Sequence, residues 1–230
     1  MKTCIIAGGE INTNFLRRQL DAVSSCICEK PYNLVACDRG LEACLELKLR
    51  PDFAIGDFDS VSPQLLEQAK ELGIEIIKLN PIKDDTDAEA AINYAINRFS
   101  TEDDYYLFGA TGARLDHLLG NFALLGYAHK KRCKLFIVDE CNRIQILSGG
   151  ESLSISKGGQ YGKYISLIPY FTQAKGVTLK GFKYPLTDAD IDGFSTITIS
   201  NEISAASGTI SLKEGYLLIV EAKDKSIESK

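Results

Sequence analysis

The stretch FAIGDFDSVSPQLLEQAKELGIEIIKL, residues 53–79, reads as one complete β–α–β unit. Phe53-Ala54-Ile55 is a short apolar run suited to a buried strand, and residues 74–79 form a second. Between them Ser62 offers the side-chain oxygen of a helix N-cap and Pro63 suits the first helical position. Leu65, Leu66, Ala69 and Leu72 then share one face before Gly73 stops the helix. A crossover helix between two strands predicts a parallel sheet. Working outward, comparable runs at residues 3–7, 33–37, 105–108 and 134–138 bring the expected strands of the N-terminal part to six. A second helix opens at Thr86, with Glu89 at capping-box spacing and Ile92, Ala95, Ile96 and Phe99 on one stripe. A third runs from about Arg114 to Ala128 and turns Leu115, Leu118, Phe122 and Leu125 toward the sheet.

Beyond Arg143 the helical period gives way to short alternating runs at residues 143–147, 164–168, 177–179, 196–200, 209–212 and 216–221. These predict an all-β second domain, with Lys213-Glu214-Gly215 as a tight turn between its last two strands. Ser148-Gly149-Gly150 marks the boundary, giving expected domains 1–147 and 148–230, and residues 223–230 form a polar tail expected to fray.

Composition narrows the function classes. The 230 residues are 45% hydrophobic and 25% charged, which excludes disorder and collagen-like repeats. With 26 Lys and Arg against 31 Asp and Glu, the net charge of −5 provides no cationic field for a nucleic acid. No apolar run reaches the roughly 20 residues that span a bilayer, and MKTCIIAGGE stops being apolar too soon for a signal peptide. A cytoplasmic protein without membrane or nucleic-acid partners is expected. The seven cysteines form no C-x-x-C pair and no zinc-ligand spacing with His117 or His129, and read as reduced thiols.

Ligands of open α/β sheets bind beyond the carboxyl ends of the strands. The segments at those ends are acidic here: Asp38-Arg39-Gly40, then Gly56-Asp57-Phe58-Asp59-Ser60, then Lys83-Asp84-Asp85-Thr86-Asp87, then residues 109–117, GATGARLDH. Each piece has an ordinary explanation. Asp57 and Asp59 suit a turn, Asp84, Asp85 and Asp87 suit the positive end of a helix, Gly109 and Gly112 suit any loop, and His117 suits a helix surface. The accumulation is harder to explain, because carboxylates crowded at one edge repel each other. A divalent cation relieves that conflict, and oxygen ligands without histidine or cysteine favour Mg²⁺ together with phosphate oxygens. For Asp57 and Asp59 to reach one metal the chain must bend, which Gly56 would allow. The third helix offers Arg114, His117 and Asn121 on one stripe, with its N-terminal N–H groups just beyond Gly109 to Ala113. Together these features describe a metal–nucleotide site.

The blocks ACDRG, GDFDS, KDDTD and GATGARLDH, with Ile199-Ser200-Asn201-Glu202 near the far end, resemble the thiamine pyrophosphokinase family over nearly the whole chain. The resemblance implies an N-terminal Rossmann-like α/β domain with a mostly parallel sheet and a C-terminal all-β sandwich. It also implies a homodimer with shared active sites that moves the pyrophosphoryl group of ATP to the hydroxyl of thiamine, releasing AMP. By the same resemblance Asp57, Asp59 and Asp87 hold Mg²⁺, while Asp38, Arg39, Gly40, Lys83, Asp84, Gly109, Gly112, Arg114, Asp116, His117 and Asn121 surround the nucleotide. Ser200 and Asn201 touch thiamine, from the partner subunit. Asp84 and Asp116 are both candidates for the general base. Two positions depart from the family pattern: Ala113 replaces a second glycine, and the chain has no tryptophan to stack on thiamine, leaving a Tyr or Phe or no stacking at all. Two rival readings remain. One is a haloacid-dehalogenase-type phosphatase, from Asp57-Phe58-Asp59-Ser60-Val61, which leaves the KDDTD and GATGARLDH blocks without a task; the other is a non-catalytic nucleotide sensor.

Overall fold

The computed structural model describes residues 1–24, 30–80, 82, 84–112 and 114–225, and the chain divides into two compact units, Met1–Asp139 and Glu140–Lys230. The first unit contains β1 (Lys2–Ile6), α1 (Thr13–Val23), β2 (Asn33–Cys37), α2 (Gly40–Glu46), β3 (Phe53–Gly56) and α3 (Pro63–Glu71). It continues through β4 (Glu75–Lys78), α4 (Asp87–Arg98), β5 (Asp104–Phe108), α5 (Leu115–Lys130) and β6 (Lys134–Val138). All six expected strands are present and pair in parallel, in the order β6-β5-β1-β2-β3-β4. β2 and β3 are buried at every residue, as a parallel sheet covered on both faces requires. The chain winds outward from β1 to β4 and then returns to place β5 on the other side of β1. That reversal puts the switch point of the sheet between β1 and β5.

The helix signals are local in the sequence and are realised locally. Ser62 Oγ accepts from Leu65 N–H at 3.3 Å, Thr86 Oγ1 accepts from Glu89 N–H at 3.2 Å, and Gly73 ends α3 at φ +67°. Two helices go unpredicted. α1 does carry the signals: the Asn12 side chain accepts from Phe15 N–H at 3.1 Å, and Phe15, Leu16, Leu20 and Val23 form its buried stripe. α2 spans seven residues and begins with glycine, which reads as a break. On α5 the expected apolar face is corrected: Leu115 is 66% exposed, and the buried residues are Leu124, Leu125 and Ala128. Its 16 residues extend about 24 Å against about 16 Å for a five-residue strand, so the first turns overrun the sheet.

The second unit is antiparallel, with β7 (Asn142–Ser148), β8 (Ser152–Ser156), β9 (Tyr164–Pro169), β10 (Ala174–Lys180), β11 (Leu186–Ile191), β12 (Asn201–Glu202), β13 (Ser207–Ser211) and β14 (Tyr216–Ala222). The pairing orders are β12-β9-β14-β7 and β11-β10-β13-β8. Ile165, Leu167 and Leu217 from the first set and Val177, Leu179 and Ile210 from the second share one buried core, giving a sandwich-like arrangement. Four expectations change here. β7 pairs with β14 along its whole length, so the division falls at Asp139/Glu140, and Gly149-Gly150 is the turn into β8. Residues 196–200 form turns, because Thr198 bonds Leu167 through both its backbone and its hydroxyl, and Ser200 lies at φ +57°. β8 and β11 are unpredicted edge strands: β8 alternates Ser with Leu153 and Ile155 over only five residues, and Asp188 and Asp190 break the pattern of β11. Lys213-Glu214-Gly215, with Gly215 at φ +95°, carries the chain between sheets and closes no hairpin between β13 and β14.

Candidate active site

The carboxyl end of β1 meets that of β5 at the switch point, and both continue into glycine loops. Gly9 N–H donates to the Gly109 carbonyl at 3.0 Å, and Gly109 lies at φ +68°. A Cβ at Gly9 would collide with the Gly109 carbonyl, and one at Gly109 would lie 2.6 Å from the Ala7 carbonyl oxygen. Asn121 Nδ2 on α5 donates to the Ala110 carbonyl at 2.8 Å and ties the helix to this loop. Arg114 is the N-cap residue of α5 and makes no side-chain cap bond; in the first turn the His117 N–H donates to Asp116 Oδ1 at 2.9 Å, which leaves the N–H groups ahead of it for an anion. Sequence reasoning misses Gly8 and Gly9; a glycine pair directly after an apolar strand is the available signal.

Three carboxylates gather at the ends of β2 and β3. One oxygen each of Asp38, Asp57 and Asp59 lies within 4.8 Å of the others. Asp38 follows β2 at φ +48°, and Gly56 lets β3 approach it: a Cβ there would stand 3.1 Å from Asp38 Cα. The bend between Asp57 and Asp59 is made by Phe58 at φ +58° with its ring buried, while Gly56 serves this close approach instead. Asp59 N–H donates to Asp57 Oδ1 at 3.1 Å, and Ser60 Oγ–H donates to Asp59 Oδ1 at 2.7 Å. Burial raises the Asp38 pKa above the ordinary carboxylate value, the Arg39 N–H opposes this, and the charges of Asp87, Asp57 and Asp59 add to the rise. Asp38 Oδ1 is buried without a hydrogen-bond partner. A carboxylate with one orphaned oxygen, clustered with two further carboxylates, fits a hard divalent cation. Asp38, assigned to the nucleotide by resemblance, therefore stands within the acidic group, and Asp87, the first residue of α4, is near enough to affect its charge.

The other expected residues divide by role. Arg114 Nε and an Nη donate to both oxygens of Asp116, at 3.2 and 2.6 Å, and both side chains are exposed. The guanidinium hydrogen bonds hold the Asp116 carboxyl well below the usual range, at about 2, aided by the His117 N–H. Asp84 and His117 are exposed, Arg39 is exposed beside Glu42, and Gly40 is buried where a Cβ would strike the Ile6 carbonyl. Lys83 and Ala113 lie outside the described residues.

In the second unit Ser200 is exposed, and its N–H donates to Ser166 Oγ at 2.9 Å. Asn201 is only 3% exposed: its Oδ1 accepts from Tyr184 N–H and Glu202 N–H, and its Nδ2 donates to the Tyr184 carbonyl. Its side chain thus clamps the Tyr184 backbone, while Tyr184 as a residue is 58% exposed. Among the described residues no helix is long and apolar enough to cross a membrane.

Residues 27–137 match the family model described as thiamin pyrophosphokinase, catalytic domain, and residues 151–217 match thiamin pyrophosphokinase, vitamin B1 binding domain. Thiamine pyrophosphokinase of Bacillus subtilis (strain 168) is 35% identical over 190 residues, covering 83% of this chain and 87% of that protein. A crystal structure of thiamine pyrophosphokinase from Bacillus subtilis superposes with a TM-score of 0.84 at 31% identity, covering 98% of this chain and 100% of that one. The crystal structure of the Geobacillus thermodenitrificans protein gives 0.81 at 34% identity, covering 98% and 99%. Two matched domains in this order, on the observed α/β and antiparallel units, show that the chain belongs to the thiamine pyrophosphokinase family.

Proposed function

We propose that this chain transfers the pyrophosphoryl group of ATP to the hydroxyl of thiamine, giving thiamine diphosphate and AMP. Its carboxylate group binds Mg²⁺ for this reaction. The observation that carries the reading is the meeting of acidic residues, a glycine loop and an uncapped helix N-terminus at one sheet edge, in a member of this family. Asp57, Asp59 and Asp38, with Asp87 beside them, would hold the cation, which when bound supplies Lewis-acid neutralisation of phosphate charge. The Gly109–Gly112 backbone and the α5 N-terminus bind phosphate oxygens, and Arg114 transfers part of its hydrogen bonding from Asp116 to them. The thiamine hydroxyl oxygen bonds the β-phosphorus as the bond from that phosphorus to the leaving AMP oxygen breaks, and the hydroxyl proton passes to a carboxylate. Asp84 and Asp116 are both candidates for that last role, Asp116 once Arg114 has turned from it toward phosphate.

Thiamine is held by the second unit, with Tyr184 as the stacking aromatic, Ser200 beside it and Asn201 acting through the Tyr184 backbone. This departs from direct contact by Asn201 because its amide is already engaged. The protein works as a homodimer with shared sites in the cytoplasm. Free thiols at Cys4, Cys44 and Cys133 support a reducing compartment. Burial pushes the thiols of Cys4, Cys44 and Cys133 up to about 12, which leaves them protonated.

The test is incubation with ATP, Mg²⁺ and thiamine, with the products separated by chromatography. AMP and thiamine diphosphate in equal amounts are expected. Inorganic phosphate released without thiamine would identify a phosphatase, and unchanged ATP would identify a nucleotide sensor.

A further inference from the structure

Ser60 stands in the GDFDS block without an assigned role, yet its hydroxyl is placed between two of the clustered carboxylates. Its hydroxyl lies 2.7 Å from Asp59 Oδ1 and 3.4 Å from Asp38 Oδ2. The Asp59 N–H lies 3.1 Å from Asp57 Oδ1. Asp57 and Asp59 therefore each have one oxygen engaged by the protein, while Asp38 Oδ2 lies at the far limit of hydrogen-bond distance from a hydroxyl whose single proton goes to Asp59. Among the described residues Asp38 Oδ1, Asp57 Oδ2 and Asp59 Oδ2 accept no hydrogen bond that would compete with a ligand. Asp38 Oδ1 is also shielded from solvent.

We propose that Ser60 determines which cation this site accepts, by restricting Asp59 to one ligand oxygen. The inference rests on the Mg²⁺ reading above and deepens it. Carboxylates that give one oxygen apiece suit a small octahedral ion that keeps several waters, namely Mg²⁺ or Mn²⁺. Ca²⁺ favours more oxygens and bidentate carboxylates. A carboxylate oxygen already accepting a hydroxyl proton is a poorer second ligand, so the bidentate option is suppressed at Asp59. Ser60 is exposed and outside every helix and strand, so its replacement tests the site without disturbing the core. It is a positioning residue and touches no reacting atom.

The experiment uses the full chain without nucleotide or thiamine. Mn²⁺ binding is monitored by electron paramagnetic resonance, and Mg²⁺ and Ca²⁺ are then titrated as competitors. Wild type should prefer Mg²⁺ to Ca²⁺. In Ser60→Ala the preference should fall by about tenfold, the loss of one hydrogen bond to a charged group. Ser60→Thr, which keeps the hydroxyl, should restore it, and melting by circular dichroism should be near wild type for both. An unchanged Mg²⁺ to Ca²⁺ ratio in Ser60→Ala, or no Mn²⁺ binding in wild type, overturns the proposal. Because no substrate is present, failure here is separable from failure of the kinase reading, which AMP formation tests.

Discussion

Asp38 combines a left-handed backbone at φ +48°, a buried oxygen without a partner and three nearby like charges. Its raised pKa has a direct consequence for stability. Between the ordinary carboxylate value and the higher folded value the native chain binds more protons than the unfolded one, so stability falls as pH rises through that window. Asp38→Asn removes the charge, keeps a hydrogen-bonding group and suits a positive φ. It should therefore melt above wild type at pH 7 without metal, and the difference should vanish when the pH drops below the carboxylate range. A lower melting temperature at pH 7 would refute this account. Asp57→Asn should reduce AMP formation by about a hundredfold or more, the scale of a lost electrostatic stabiliser, with the circular dichroism spectrum unchanged. Near-normal turnover at saturating Mg²⁺ would remove Asp57 from the cation's ligands. Both aspartates are visible in the sequence as types in blocks. Which oxygen of each is free is not, because that depends on the Asp59 N–H at Asp57 Oδ1 and on the burial of Asp38 Oδ1.

Among the elements, those with signals at their own ends are readable: the Ser62 and Thr86 caps, Gly73, and the apolar stripe of α4. Thr86→Ala should cost about 1 kcal/mol by urea denaturation, the usual value of an N-cap. It should also lower activity, because the cap orders the turn that carries Asp87. Elements whose purpose is contact with a distant segment are not readable. α2 needs the Ile6 carbonyl to explain Gly40, and the β1 loop needs the β5 loop to explain Gly9. Gly9→Ala should cost about 1 to 3 kcal/mol, the range for forcing atoms into a packed contact, and should impair ATP binding more than thiamine binding. Calorimetry that finds both ligands equally affected would point to general destabilisation.

At the scale of the whole molecule, the homodimer proposal concerns two chains and is best tested with two. Mixing Asp57→Asn with Tyr184→Ala, each inactive alone, should form dimers in which one site carries both defects and the other neither. Activity should return toward about half of wild type per mixed dimer, the share expected for one intact site of two. Demonstrated subunit exchange without recovery would place each site within a single chain. The sequence by itself determined the strand and helix types, the change from α/β to all-β, the acidic blocks and the family resemblance. These arise from periodicity, caps and residue chemistry over a few neighbouring positions. Only the tertiary structure decided that β1 lies beside β5, which brings Gly8 and Gly9 to the switch point. It alone moved Asp38 into the carboxylate group, buried Asn201 under Tyr184 and made edge strands of β8 and β11. The reason is physical: strand order and the allocation of hydrogen-bond acceptors are set by partners far apart in the chain, and no local period records them.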